Sequence, residues 1–241
     1  MVSKFNLAAL PALSALIFVV PGAQAAFIAD PSFTLSTPGQ WNGAPNWTSG
    51  GANYNFIFAS GTADLTGAGS SGLKLWGPND GSLNGLPASS PDGGNFVAAD
   101  GCAFQSTCSQ PSTISQALMN LTPNASYDVG FWYGFAQQAF FTGQTIQSWN
   151  VCLGANCQST ASFTVPSHGF SGWFHADFIF QAQTSNDLLS FSAFGDSPVP
   201  PFALLDGITV SAAPEASTLS ILGVGLLALI VVGLRRRVGA F

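Results

Sequence analysis

Charge is what this 241-residue chain has least of: Asp, Glu, Lys and Arg together make up 7% of it. Of its five basic residues, Lys4 lies near the start and Arg235, Arg236 and Arg237 near the end, so the segment 26–212 holds one cation, Lys74. Ten Asp against one Lys give that segment 1 − 10 = −9 with both His neutral. A surface of that sign repels phosphate backbones, which excludes a nucleic-acid partner. It also stays soluble by self-repulsion and can collect cations. Glu occurs once, as Glu215, outside the segment. Glycosidases generally need two carboxylates across a cleft, and no Asp pair stands out in the sequence. The Gly-x-Ser-x-Gly elbow, the Walker pattern and His-Glu-x-x-His are all missing. No catalytic residue is assigned, and an enzyme is not expected. Long helical periodicity is missing too, outside an apolar segment at each end.

Those two end segments carry addresses. Lys4 precedes the apolar run Leu7 to Val20, and Ala23-Gln24-Ala25 fits a small-x-small cleavage site. This predicts a secretory signal peptide over 1–25, cut before Ala26 and delivered through the Sec translocon. Pro11 and Pro21 bracket a run too short for an uncleaved anchor. At the other end, Pro214, Glu215 and Ala216 precede Thr218 to Leu234, a 17-residue uncharged stretch with eleven Leu, Ile or Val. As a helix it would span about 25 Å, the short end of what crosses a bilayer. Arg235, Arg236 and Arg237 after it would stay cytoplasmic and hold the body of the protein outside.

The order Pro-Glu, Ser-Thr-Leu, a Gly-containing apolar helix and an Arg cluster over 213–241 resembles the PEP-CTERM sorting signal of Gram-negative bacteria that make exopolysaccharide. The resemblance implies cutting near Pro214 and Glu215 by an exosortase, an integral membrane cysteine transpeptidase. The protein would begin as an inner-membrane-anchored precursor and end at the cell surface or in the extracellular matrix. Ala216 stands where that family usually has a second Pro. A permanent single-pass anchor is the alternative.

The remaining 26–212 is long enough for one domain with a sizeable core. Cys102 and Cys108 lie six apart, Cys152 and Cys157 five apart. Neither spacing is Cys-x-x-Cys, so disulfides in an oxidising compartment are expected over zinc, with local pairing the economical choice among three connectivities. Short alternating runs between Gly, Pro, Asn and Asp clusters predict an all-β domain. The clearest are Ser126 to Tyr133 and Trp173 to Ala182. In the second, Phe174, Ala176, Phe178 and Phe180 share one face, and His175 and Asp177 the other. Further strands are expected near 54–59, 72–77, 94–99, 113–119, 146–153, 161–165, 188–194 and 203–211. About ten strands indicate a sandwich or jelly roll, and residues 78–93 read as an exposed, turn-rich loop.

Asp92-Gly93-Gly94-Asn95-Phe96-Val97, Leu121-Thr122-Pro123-Asn124-Ala125-Ser126-Tyr127, Phe131-Trp132-Tyr133 with Gln137-Gln138, Gly169-Phe170-Ser171-Gly172-Trp173 and Pro200 through Gly207 follow one another over 90–212. That order resembles the galactose-binding-like jelly rolls common in PEP-CTERM proteins, which are similar to carbohydrate-binding modules. The resemblance implies a structural calcium ion between an early loop and the last strand. Asp30 and Asp206 are the candidate ligands, since carboxylate oxygens suit a hard cation. It also implies sugar binding on aromatic platforms. Candidates are Trp41, Trp47, Trp76 and Trp132 with Gln137, Gln138 and Asn150. Trp41 and Trp47 sit in a Gly/Pro/Asn-rich segment and are the least core-like of them. The sequence therefore reads as an exported, non-catalytic matrix protein that binds exopolysaccharide. A polysaccharide hydrolase or lyase, or a structural surface protein without a ligand, are the alternatives.

Overall fold

The computed structural model describes residues 28–40, 44–65, 73–86, 90–102, 110–196 and 198–213. The signal peptide and the whole tail, including Pro214, Glu215, Ala216 and Arg235 to Arg237, lie outside them, as do Trp41 and Cys108. Among the described residues no helix is long and apolar enough to cross a membrane.

Among the described residues the chain forms twelve strands in two antiparallel sheets packed face to face, a β-sandwich. The first sheet runs β1 (Gly39–Gln40), β3 (Asn55–Ala59), β4 (Asn95–Asp100), β12 (Pro201–Ala212), β6 (Ser126–Gln137) and β10 (Trp173–Gln181). The second runs β2 (Thr48–Gly51), β5 (Ser112–Met119), β11 (Asn186–Gly195), β7 (Thr145–Leu153) and β8 (Asn156–Ser159), with β9 (Phe163–Val165) also on β7. Alternation decides which face looks inward, because successive side chains in a strand point to opposite sides. In β5 and β7 every second residue is buried. Val129, Phe131 and Phe135 of the first sheet meet Trp149, Val151, Leu189 and Phe191 of the second to make the main core.

Two sequence expectations are corrected. Residues 73–77 form no strand; Leu75 makes an isolated bridge to Gln138. The 78–93 loop is not simply exposed. Leu83 is open to solvent, but Ser82, Leu86 and Ser90 are buried, and the Leu86 N–H donates to Trp76 O at 2.8 Å. The cause is a second apolar cluster on the outer face of the first sheet. Phe56, Phe58, Phe96, Ala98, Ala136, Phe202 and Leu204 are covered there by Ala63, Leu73, Leu75 and Leu86 from the long β3–β4 connection. Burying those rings on both sides of the sheet outweighs the turn-rich composition of the cover. It also explains the run of buried residues from Phe96 to Asp100 in β4 and from Gly134 to Gln137 in β6.

Candidate functional site

The cover stops part-way along the sheet, and the open part is where chemistry gathers. The register of β12, β6 and β10 lays the outward residues in rows. Leu204, Gly134 and Trp173 form the first row, at the margin of the second core. A Cβ on Gly134 would meet the Phe170 ring at 2.9 Å, so the cover still presses on the sheet there. Asp206, Trp132 and His175 form the next row, then Thr209, Gly130 and Asp177, then Ser211, Asp128 and Ile179. From Trp132 to Asp128 is four residues, about 13 Å of strand.

Trp132 stands half-buried at the head of this strip. Its ring meets His175 edge-on at 4.9 Å between centroids, and a Cβ on Gly207 would lie 2.9 Å from its Cδ1. The indole is therefore gripped between β10 and β12. Its N–H makes no hydrogen bond among the described residues. Next to it, Gly130 is buried, and its missing side chain lets three neighbours close over the sheet. A Cβ at that position would come within 2.6 Å of Thr209 Oγ1, 2.9 Å of Asp177 Oδ1 and 3.5 Å of His175 Cε1. Thr209, Asp177 and His175 are exposed, and Ile179 is 59% exposed. His175 Nδ1 lies 3.3 Å from Asp177 Oδ2. In the next row the Asp128 carboxyl is raised above its ordinary value, first by burial and then by the nearby Asp177 charge, with His175 opposing. Its Oδ1 is buried and accepts no hydrogen bond. An aromatic ring, a hydroxyl, two carboxylates and an exposed aliphatic side chain thus share one face. That set can hold an uncharged or cationic polyol by stacking and directed hydrogen bonds.

Asp206 sits at the border, fully buried. Its Oδ1 accepts the Gly207 N–H at 2.8 Å, and its Oδ2 makes no hydrogen bond of ordinary length. Burial pushes the carboxyl up to about 7, the Ser90 hydroxyl and Gly207 N–H pull it down, and the Asp92 charge raises it. The Ser32 hydroxyl donates to Asp92 Oδ2, and Ile208 N–H donates to Pro31 O at 3.2 Å. The Asp30 turn thus reaches the Asp206 strand through its backbone. Asp30's own carboxylate is engaged elsewhere. It closes its turn by accepting from Leu35 N–H at 3.0 Å, Thr34 Oγ1 at 3.4 Å and Ser36 Oγ at 3.2 Å. The structure sets Asp92, not Asp30, beside Asp206. The orphaned oxygen of Asp206 beside a second carboxylate fits a hard cation. No cluster of three His, Cys, Asp or Glu occurs among the described residues, so the other oxygens would come from carbonyls, hydroxyls and water.

The other nominated residues are placed as follows. Trp47 is core: its ring packs on Phe33 and Phe191 at 5.4 and 6.4 Å, and its Nε1–H donates to Asp30 O at 3.1 Å. A buried ring presents no platform, which overturns its reading as one of the least core-like tryptophans. Gln137 is fully buried and holds loops together. Its Nε2 donates to Gly143 O, Thr145 Oγ1 and Val165 O, and its Oε1 accepts the His168 N–H at 2.9 Å. Trp76 lies between His168, 4.0 Å away, and Phe140, 6.3 Å away, and gives its N–H to Phe141 O. Gln138 lies beyond the end of β6 and Asn150 on the opposite sheet. Cys152 and Cys157 form a disulfide across β7 and β8, and Cys102 is disulfide-bonded as well. A hollow of ≈ 620 Å³ at the β2–β5 edge is lined by Trp47 and Gln116, among others. Gln116 already bonds Ala29 and the Asn46 carbonyl, so the larger cavity carries less free chemistry than the flat strip.

Sequence reasoning named Trp132 and the shared face of His175 and Asp177. It missed Asp128, Gly130 and Thr209, which only register brings to the same place. The alternation of Asp128, Gly130 and Trp132 in β6 was the available signal.

No protein-family model and no curated protein matches the chain. Solved structures do. They include carbohydrate-binding modules. TmCBM61, solved in complex with β-1,4-galactotriose, is similar at 14% identity and a TM-score of 0.39, covering 79% of this chain and 100% of its own. The CBM22-1 xylan-binding domain of Xyn10C from Paenibacillus barcinonensis is 13% identical with a TM-score of 0.37, covering 81% and 98%. The K1 cleaved adhesin domain of Lys-gingipain from Porphyromonas gingivalis is 13% identical with a TM-score of 0.42, covering 76% and 96%. At TM-scores of this size the overlap is partial, and what the site can do rests on the side chains above.

Proposed function

We propose that the chain is an exported, non-catalytic polysaccharide-binding protein whose binding face is the open strip of β12, β6 and β10. The observation that carries this is the half-exposed Trp132 ring, clamped by His175 and Gly207, next to the Thr209 hydroxyl and the Asp177 carboxylate gathered over Gly130. Sugars present an apolar face to an aromatic ring and hydroxyls to polar groups around it, and this strip offers both within 13 Å or so. Asp128 and Asp177 are diagonal neighbours on one flat face. A glycosidic bond is cut between carboxyl groups that flank it, so this arrangement favours holding a chain over cleaving it. The test is binding of the full chain to oligosaccharides by calorimetry, with Trp132→Ala alongside. The proposal expects binding by the parent and none by the variant at an unchanged melting temperature. Equal binding by both would refute it.

The exported setting is part of the same proposal. The disulfide between Cys152 and Cys157 suits an oxidising compartment. The Pro214-Glu215 signal and Arg235 to Arg237 would route the protein through an exosortase to the exopolysaccharide matrix. Intact mass of the protein recovered from its host should end near Glu215; a mass that keeps Arg235 to Phe241 in the membrane fraction would instead describe a tethered protein. Calcium belongs here too. Asp206 and Asp92 would hold it, and the ion would neutralise the buried carboxylate and tie the 90–92 loop to β12 beside Trp132.

A further inference from the structure

The charge on the strip narrows the ligand, and this step rests on the polysaccharide-binding reading above. We infer that the strip recognises a polysaccharide bearing free amino groups, such as a de-N-acetylated hexosamine polymer. Three observations converge. First, carboxylates flank the platform. Asp177 lies beside Gly130, Asp128 follows in the next row, and Asp206 and Asp92 lie on the other side of Trp132. Second, no Lys or Arg answers Asp177 and Asp128 among the described residues. Lys74, the one Lys or Arg of the 26–212 segment, is paired with Asp80 and lies over the Phe140 ring, at the far side of the covered half of the molecule. His175 is the only basic group of the strip, and it contacts Asp177 through one nitrogen. Third, Asp128 and Asp177 are diagonal neighbours of like charge, and the Asp177 charge adds to burial in holding the Asp128 carboxyl above its ordinary value, so a cation beside them relieves both.

An ammonium group answers all three. It carries three donors and no acceptor, so it can bridge the Asp128 and Asp177 oxygens while the sugar ring that carries it stacks on Trp132. The positive charge is further favoured near the face of the indole. Uronic acid polymers meet the opposite situation, since each carboxylate they bring would face Asp177 and Asp128 with no arginine or lysine to receive it. Neutral polymers would be stacked and hydrogen-bonded but would leave the repulsion between Asp128 and Asp177 unrelieved.

The experiment is calorimetric titration of the full chain with three soluble oligosaccharides of equal length: fully de-N-acetylated glucosamine, the same sugar N-acetylated, and a uronate. The inference expects the amino form to bind at least about tenfold more tightly than the N-acetylated form, the scale of a charge-assisted hydrogen bond, and the uronate not to bind. Asp177→Asn should abolish the preference for the amino form over the N-acetyl form. Asp196→Asn, on an exposed Asp just past the end of β11, should leave the preference intact and so separates a site from diffuse attraction of a polycation. Equal affinity for the amino and N-acetyl forms, or a preference abolished as strongly by Asp196→Asn as by Asp177→Asn, overturns the inference while leaving polysaccharide binding in place. Binding of none of the three overturns both.

Discussion

A methyl group at position 130 would sit 2.6 Å from Thr209 Oγ1 and 2.9 Å from Asp177 Oδ1. Both obstacles are ends of side chains at the surface, so they can swing aside. Gly130→Ala is therefore expected to fold with a melting temperature close to the parent's and to weaken oligosaccharide binding, because the Thr209 hydroxyl and Asp177 carboxylate are pushed out of place; unchanged binding in calorimetry would show that their placement is not used. Asp100 makes a different point at the same scale. Burial lifts its carboxyl to about 6, with the Cys102 N–H partly opposing. A folded-state value above the unfolded one favours the folded protein at low pH. That stability is complete below the unfolded value near 4 and is lost as pH rises through about 6. Urea denaturation at pH 4 and pH 7 should show the parent losing up to about 3 kcal/mol relative to Asp100→Asn over that window. A constant difference would contradict it. Single residues were partly legible in the sequence. Trp132 follows from alternation in β6, and His175 and Asp177 from alternation in β10, but the burial of Trp47 and Gln137 depends on which distant elements close over them.

Among the elements, β12 organises the molecule. It is central to the first sheet, pairing β4 on one side and β6 on the other, and it bulges between Asp206 and Thr209. The bulge, with Gly207 at a φ of 56°, turns the strand just where the covered half of the face gives way to the open half. It leaves Asp206 facing Asp92 and Ser90 in the loop that leads into β4. If calcium sits there, 10 mM of it should stabilise the full chain by about 2.7 kcal/mol for a dissociation constant near 10⁻⁴ M. That is roughly 5–10 °C in melting temperature for a domain of this size. Asp206→Asn should abolish the shift; an equal shift in the variant would place any bound ion elsewhere. Strand positions in β5, β6, β7, β10 and β11 were legible from their alternation. The short β1, β2 and β8 were not, because two to four residues carry no period. Residues 73–77 misled for the opposite reason. They are apolar enough for a strand, yet they serve as cover, and a cover pattern and a strand pattern look alike over five residues.

For the whole molecule, two apolar layers and one open polar strip follow from a single asymmetry. The long β3–β4 connection buries one half of the outer face of the first sheet, and the other half stays open. Low charge and 27 glycines are consistent with a β-sandwich of tight turns, and the scarcity of Lys and Arg leaves the carboxylates of the strip without a Lys or Arg partner among the described residues. The fold class was legible in the sequence because alternation is local. The location of the site was not, because it is defined by where a cover ends. The most direct test is a heteronuclear NMR titration of the full chain in detergent micelles with de-N-acetylated hexosamine oligosaccharide. The account predicts amide shift changes centred on Gly130, Trp132, His175 to Ile179 and Thr209. Changes centred instead on Trp76, Phe140 and His168, or no changes at all, would contradict it.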